Sequence, residues 1–292
     1  MPKFSIVVPA YNAEATLAET LDAIQTQSFT DWECVVVDDG STDGTLAQIH
    51  LYEQADPRFR AITQENRGSG GAYNTGVSAA IGDWITICSA DDILLKTHLS
   101  TMASIIDDYP GYDIYTSNGY SWRGDGSRNI VYPPLEGARV RSWTLEETFM
   151  QCFFSVGATY RRNLFHEMEG YREDVFGEDY DFWIRSMARG AKHLYMSDAL
   201  ALHRVSGFQK SADLERSFKS DIRIISSAVR SGLLTRPQVR AARAGIRCRK
   251  HLIAEHANTP VLRLRRRAKG AALGLRHGVG RALRAVRRRV LP

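Results

Sequence analysis

With 292 residues, 43% hydrophobic and 24% charged, the chain has enough apolar sequence for a sizeable core, which excludes a disordered protein. Its formal charge of +5 is unevenly divided. From Arg230 onward 18 Lys and Arg face one acid, Glu255, whereas the preceding residues carry 20 against 32, so the chain reads as an acidic globule with a basic tail.

Residues 4–9 read as a buried strand, followed by a helix over 13–27 with Leu17, Leu21 and Ile24 at helical spacing. Residues 32–37 form a second strand, broken by Asp38-Asp39-Gly40-Ser41-Thr42-Asp43-Gly44, where Ser41 or Thr42 can cap a helix to about residue 54. A third strand covers 59–63. After Asn66-Arg67-Gly68-Ser69-Gly70-Gly71 comes a small-residue helix over 72–80, then a fourth strand over 84–88. This alternation predicts a parallel sheet covered on both faces. The second half is less regular, with a strand at 112–117, a turn-rich hairpin at 121–128, a proline-stiffened loop at 132–137, helices at 145–150 and 176–188, and a strand at 192–196. Helix formers dominate beyond residue 220. Cys34, Cys88, Cys152 and Cys248 are widely spaced, which favours reduced thiols in a cytosolic compartment over disulfides or structural zinc. No apolar run approaches the roughly 20 residues that cross a bilayer, and the short run 4–8 passes directly into Pro9 and Tyr11 without the form of a signal peptide.

Three features along this order point to chemistry. The apolar run 84–88 is soon followed by two adjacent carboxylates, Asp91 and Asp92, where an open α/β sheet binds ligands at its carboxyl edge and a divalent cation carrying a diphosphate would balance the charge; Asp92 as a helix cap is the plainer reading. Pro9-Ala10-Tyr11-Asn12 and Asp38-Asp39-Gly40-Ser41 end neighbouring strands, so a carboxylate there can accept the imide N–H of a uracil ring while Tyr11 stacks on the base; each alone is a common kind of turn. Phe176-Gly177-Glu178-Asp179-Tyr180-Asp181-Phe182-Trp183 suits either an acidic first turn of a helix or a carboxylate that takes a proton from an acceptor hydroxyl.

Together these motifs resemble family 2 glycosyltransferases with the GT-A fold: Ser5-Ile-Val-Val-Pro-Ala-Tyr-Asn12, Val-Val-Val-Asp-Asp-Gly-Ser-Thr-Asp-Gly-Thr45, Asn66-Arg-Gly with Ala-Tyr-Asn-Thr-Gly76, and Ala90-Asp-Asp92, recurring near Glu178. The resemblance implies a Rossmann-like α/β fold, a mixed and mainly parallel sheet flanked by helices. It also implies inverting transfer from a nucleotide diphosphate sugar, a UDP-sugar first among them, with Mg²⁺ or Mn²⁺, to a glycan or lipid-linked acceptor. By that similarity Pro9, Tyr11, Asn12 and Asp39 hold the nucleoside and Asp91 approaches the ribose; the glycine-rich turn 66–71 reads equally as a plain turn, from which Arg67 can reach a diphosphate as a charge-assisted donor. Asp92 meets the metal, with Asp91 and His203 as further ligands. Asp179 is the general base, and Glu178, Tyr160 and Arg161 lie on the acceptor side. Ser89 stands where many members carry an acid, and Ser206 where a late His is usual.

Residues 1–115 are accordingly expected to form the nucleotide-sugar half, 116–220 the acceptor half of the same domain, and 221–292 a helical, Arg-rich extension. Within the extension Leu264, Ala268, Ala272, Leu275, Val279, Leu283, Val286 and Val290 fall on one helical arc with nearly all the arginines outside it. That pattern predicts that residues 261–292 lie on an anionic membrane surface, placing the protein peripherally on the cytoplasmic face. Two rivals carry less. A dinucleotide-binding oxidoreductase lacks its G-x-G-x-x-G, and a nucleic-acid- or membrane-binding protein built on an inactive scaffold would rely on the tail alone, which has almost no aromatic residues for stacking on bases, so no nucleic acid is expected.

Overall fold

The computed structural model describes residues 1–123, 127–153, 156–205 and 213–258. Strand β1 (Phe4–Ala10) is the axis of the sheet, with Ile6, Val7 and Val8 fully buried. It pairs in parallel with β2 (Trp32–Asp38) on one side and β4 (Trp84–Ile87) on the other, and β3 (Phe59–Thr63) lies parallel beyond β2. Helices α1 (Leu17–Gln25), α2 (Thr45–Ala55) and α3 (Gly68–Ala79) make the crossovers. The β1–β4 ladder ends at Val7 opposite Ile87. Pro9, two residues on and pointing to the same side, therefore leaves its missing N–H where no partner strand remains.

Beyond β4 the sheet becomes mixed. Strand β9 (Thr159–Arg161) inserts antiparallel between β4 and β6 (Ile114–Trp122), and β10 (His193–Arg204) runs parallel to β6. The order is β3-β2-β1-β4-β9-β6-β10-β5, closed by the short β5 (Ile93–Leu94), with β7 (Arg128–Ile130) on β6 and β8 (Val140–Trp143) on β10. Alternate side chains of β1 serve opposite cores, as strand periodicity requires. Phe4, Ile6 and Val8 join Leu17 and Leu21 of α1 and Met102 of α4 (His98–Asp108). Val7 joins Val77 of α3, Phe149 of α5 (Leu145–Met150), and Phe182 and Trp183 of α7 (Glu178–Ala188). Helices α6 (Arg162–Glu167), α8 (Leu214–Arg230) and α9 (Arg236–Asn258) complete the described chain. Its four cysteines are free thiols.

Several boundaries differ from those read in the sequence. Helix α1 starts at Leu17, after a turn closed by the Thr16 and Leu17 N–H groups on the Ala13 carbonyl. Helix α2 starts at Thr45, whose N–H is accepted by the Asp43 carboxylate at 3.0 Å, so neither Ser41 nor Thr42 is the cap. Helix α3 starts at Gly68, its glycines serving close packing: a Cβ on Gly76 would lie 2.4 Å from Val7 Cγ1. Strand β10 continues past Met196 through two register shifts as far as Arg204. The predicted membrane stripe at 261–292, Ser206, and the tip of the 121–128 hairpin (residues 124–126) lie outside the described residues.

Candidate active site

Four chain segments converge on the carboxyl edge of β1, β2 and β4. After β1, Asn12 adopts a left-handed backbone (φ 47°), which asparagine tolerates better than most residues. Its N–H donates to Ser41 Oγ at 3.0 Å and its Oδ1 accepts the Thr42 N–H at 2.8 Å. The two turns are thereby stitched together, with Asn12 used in the stitching. Tyr11 is 53% exposed at the rim, and Pro9 is half-buried.

After β2, Asp38 and Asp39 divide their tasks. Asp38 is consumed locally, accepting from Ser41 N–H and from Thr63 Oγ1, each at 3.2 Å. Asp39 donates its N–H to the Ala10 carbonyl at 2.8 Å, and its Oδ1 accepts from Gln64 Nε2 at 2.6 Å and the Arg67 N–H at 2.9 Å. Arg67 thus reaches Asp39 through its backbone, while its guanidinium pairs with Glu173 in the loop before α7.

The Asp91-Asp92 turn after β4 is held by the start of α1 and by the end of β10. Thr16 Oγ1 donates to the Ala90 carbonyl at 3.0 Å and Thr20 Oγ1 to the Asp92 carbonyl at 2.9 Å. Asp92 is 2% exposed; its Oδ1 lies 3.0 Å from His203 Nδ1 and accepts the Arg204 N–H at 3.1 Å. Desolvation raises the Asp92 carboxyl above the usual range, opposed by His203. Arg204 donates from Nε to the Asp91 carbonyl at 3.1 Å, pairs with Glu19, and lies 4.4 Å from the Trp122 ring centroid. The register shifts of β10 bring His203 and Arg204 to this point.

The fourth segment is the start of α7. Gly177 is left-handed (φ 90°) immediately before Glu178, so the helix begins abruptly with three acids in its first turn. Asp181 is 2% exposed and committed to Arg185 at 2.6 Å and Arg172 at 3.7 Å. Glu178 is 6% exposed, and Asp179 is half-buried with its Oδ1 accepting the Tyr180 N–H at 2.8 Å. Tyr73 of α3 joins this corner to the previous one. Burial drives its hydroxyl well up, Glu178 and Asp179 add to that, and a hydrogen bond with Ser89, two residues before Asp91, opposes it.

The sequence therefore named residues that fall into two linked groups, Asp39 with Arg67 and Asn12, and Asp91 and Asp92 with His203. The charges of Glu178 and Asp179 bear on Tyr73 of α3, next to these groups. Two named residues stand elsewhere. Strand β9 runs antiparallel to β4 with Arg161 opposite Trp84, which puts Arg161 at the far edge, paired with Asp113 and Glu167. Tyr160 is fully buried, accepts a hydrogen bond from the Tyr171 hydroxyl at 3.0 Å, and packs edge-on and tilted against Trp183 and Phe182. An acceptor role for either is set aside on these positions. Tyr73, Gln64, Glu173 and Glu19 were not singled out; only Tyr73 stood within a quoted motif.

For a divalent cation, Asp92 offers one carboxylate oxygen that accepts no hydrogen bond among the described residues, with the His203 imidazole beside it. Those residues contain no cluster of three or more His, Cys, Asp or Glu able to hold a metal. The set fits Mg²⁺ or Mn²⁺, which take one or two carboxylates and fill their shells from phosphate oxygens and water.

A mixed sheet of this order, flanked by helices and with acidic turns along one edge, is the GT-A fold. The chain belongs to glycosyl transferase family 2, whose model it matches over residues 5–168. It is 29% identical over 216 residues to glycosyltransferase GlyA of Streptococcus pneumoniae, covering 70% of this chain and 30% of that protein. It is 28% identical over 210 residues to the GalNAc(5)-diNAcBac-PP-undecaprenol beta-1,3-glucosyltransferase of Campylobacter jejuni, covering 70% and 65%. The chain thus spans less than two thirds of either relative. Among solved structures, S. aureus TarS 1–349 in complex with UDP-GlcNAc superposes with a TM-score of 0.70 at 23% identity, over 85% of this chain and 72% of that one.

Proposed function

We propose that this protein transfers a sugar from a UDP-sugar to a hydroxyl of a glycan or lipid-linked acceptor, with inversion. The observation that carries the reading is the pairing of the buried Asp92 with His203 at the carboxyl edge of the sheet, in a chain of this family. The UDP-GlcNAc complex of TarS and the undecaprenol-diphosphate acceptor in the name of the C. jejuni relative support the donor and acceptor classes.

In this reading Asp39, with Tyr11 and Pro9, receives the uracil, and Asp91 the ribose. Asp179 takes the proton of the acceptor hydroxyl as its oxygen bonds the anomeric carbon from the face opposite the diphosphate. The bond from that carbon to the diphosphate oxygen breaks, leaving an inverted glycoside, UDP and a protonated Asp179. A positioned carboxylate contributes about 10²- to 10⁴-fold. A divalent cation held by Asp92 and His203 would supply Lewis-acid stabilisation of charge on the leaving diphosphate. Residues 261–292 would lie on the anionic membrane that presents the acceptor.

A thermal-shift panel of UDP, GDP, dTDP and CMP, each with and without Mn²⁺, tests this, because a ligand bound only to the folded state raises stability by RT ln(1 + [L]/Kd). UDP should give the largest shift, increased by Mn²⁺. Asp179→Asn should abolish transfer and keep that shift; loss of both would make Asp179 structural.

A further inference from the structure

Away from the crevice, α9 carries Arg236, Arg240, Arg243 and Arg247, all exposed. Spacings of four, three and four keep them within about 60° of arc and along about 16 Å of helix. The opposite face is buried through Ala242, Gly245, Cys248, Arg249 and Leu252. It cannot rotate: a Cβ on Gly245 would lie 2.2 Å from the Phe149 carbonyl oxygen, and Arg249 Nη1 donates to that same oxygen at 2.6 Å. The arginine row is thereby fixed outward.

Among the described residues, no ion pair or hydrogen bond takes up any of these four guanidinium groups. Like charges at this spacing weaken a helix, which an external layer of anions would offset. Leu234 and Val239 complete a shallow groove of about 460 Å³ with the row. Leu233, at the turn into α9, is 48% exposed. No aromatic ring lines this groove, so bases would find nothing to stack on. The rest of the chain is acidic, which disfavours a polyanion that wraps the globule but not a flat surface met on one side. After α9 the sequence adds eleven Lys and Arg and no acid.

We propose that the Arg236, Arg240, Arg243 and Arg247 face of α9 docks the protein on an anionic bilayer, the guanidinium groups on lipid phosphates and Leu233 at the headgroup boundary. This contact is separate from residues 261–292 and does not require transfer activity. Each cation near an anionic leaflet strengthens binding by about fivefold.

The test is partition of the full-length chain onto phosphatidylglycerol–phosphatidylcholine vesicles and onto phosphatidylcholine vesicles. The variant Arg236→Gln/Arg240→Gln/Arg243→Gln/Arg247→Gln should lose at least tenfold on the anionic vesicles with a thermal midpoint no lower than the parent's. The corresponding fourfold Arg→Lys variant, which keeps the charge, should bind within threefold of the parent. A loss under tenfold for the Gln variant overturns the proposal. So does a loss of comparable size in the Lys variant, or a parent chain that binds duplex DNA more tightly than anionic vesicles.

Discussion

Arg249 donates from Nη2 to the Tyr180 hydroxyl at 2.8 Å, so α9 holds the helix on which Asp179 stands one position away. The same guanidinium serves Asp221 at 2.7 Å and the Phe149 carbonyl, and it is 4% exposed. Arg249→Met leaves the Phe149 carbonyl, the Tyr180 hydroxyl and the partly exposed Asp221 carboxylate without this donor, an expected loss of about 1–3 kcal/mol. Denaturant midpoints measure it, and Asp221→Asn, which leaves the buried Arg249 charge without its carboxylate, should cost more, about 3–5 kcal/mol.

Two acids two residues apart on α7, and so on nearly opposite faces of it, should behave oppositely. Asp181 is buried between Arg185 and Arg172, so Asp181→Asn should lower stability by about 2–4 kcal/mol. Asp179 is half-buried, and Asp179→Asn should change stability by less than about 1 kcal/mol while lowering transfer by about 10²-fold or more. Unfolding curves and initial rates on the same preparations separate the two.

Gly177 sets where that helix begins. A Cβ there meets nothing nearer than 3.9 Å, so Gly177→Ala is limited to the backbone cost of a left-handed alanine, about 1–2 kcal/mol. Relief of that strain would swing Glu178 and Asp179. Turnover should fall more than UDP affinity, as measured by rates and titration.

Acid should destabilise the protein through two buried histidines. His98 lies with its ring nitrogens 3.2 and 3.1 Å from the Leu200 and Gly157 carbonyl oxygens, and burial lowers its pKa to about 4. His193 is lowered to about 3 by burial, with Arg141 adding to it. Unfolded, each takes up a proton near 6.5. The stability of the neutral rings is complete above that value and is lost as pH falls from 6.5 toward 4 and 3. Two protons give a slope of about 2–3 kcal/mol per pH unit between pH 6 and 4. His193→Gln should halve it in urea titrations across that range.

Strands β1, β2 and β4 were legible because each is a short, nearly unbroken apolar run, as burial on both faces demands, while β3, only partly buried, was legible from its place in the strand–helix alternation. The acidic turns at their carboxyl ends were legible for the same reason. Strand β10 was cut short at Met196 because two register shifts break its period, and with it went the geometry that sets His203 against Asp92. The start of α3 was placed four residues late because glycine argues against helix locally. The answer lay in a distant partner, the Arg172 carbonyl oxygen, which would lie 2.9 Å from a Cβ on Gly70. Tyr160 and Arg161 were misplaced because nothing local announces that β9 runs against its neighbours.

That inserted strand also bears on synthesis. Until the ribosome has delivered Thr159–Arg161, the margin of β4 beyond Ile85 and Ile87 has no partner, and β6 cannot be joined to the first four strands. A nascent or truncated polypeptide stopping near residue 150 would expose an apolar rim open to intermolecular pairing. Dividing the gene near residue 115 would yield fragments prone to aggregate, not two independently soluble halves.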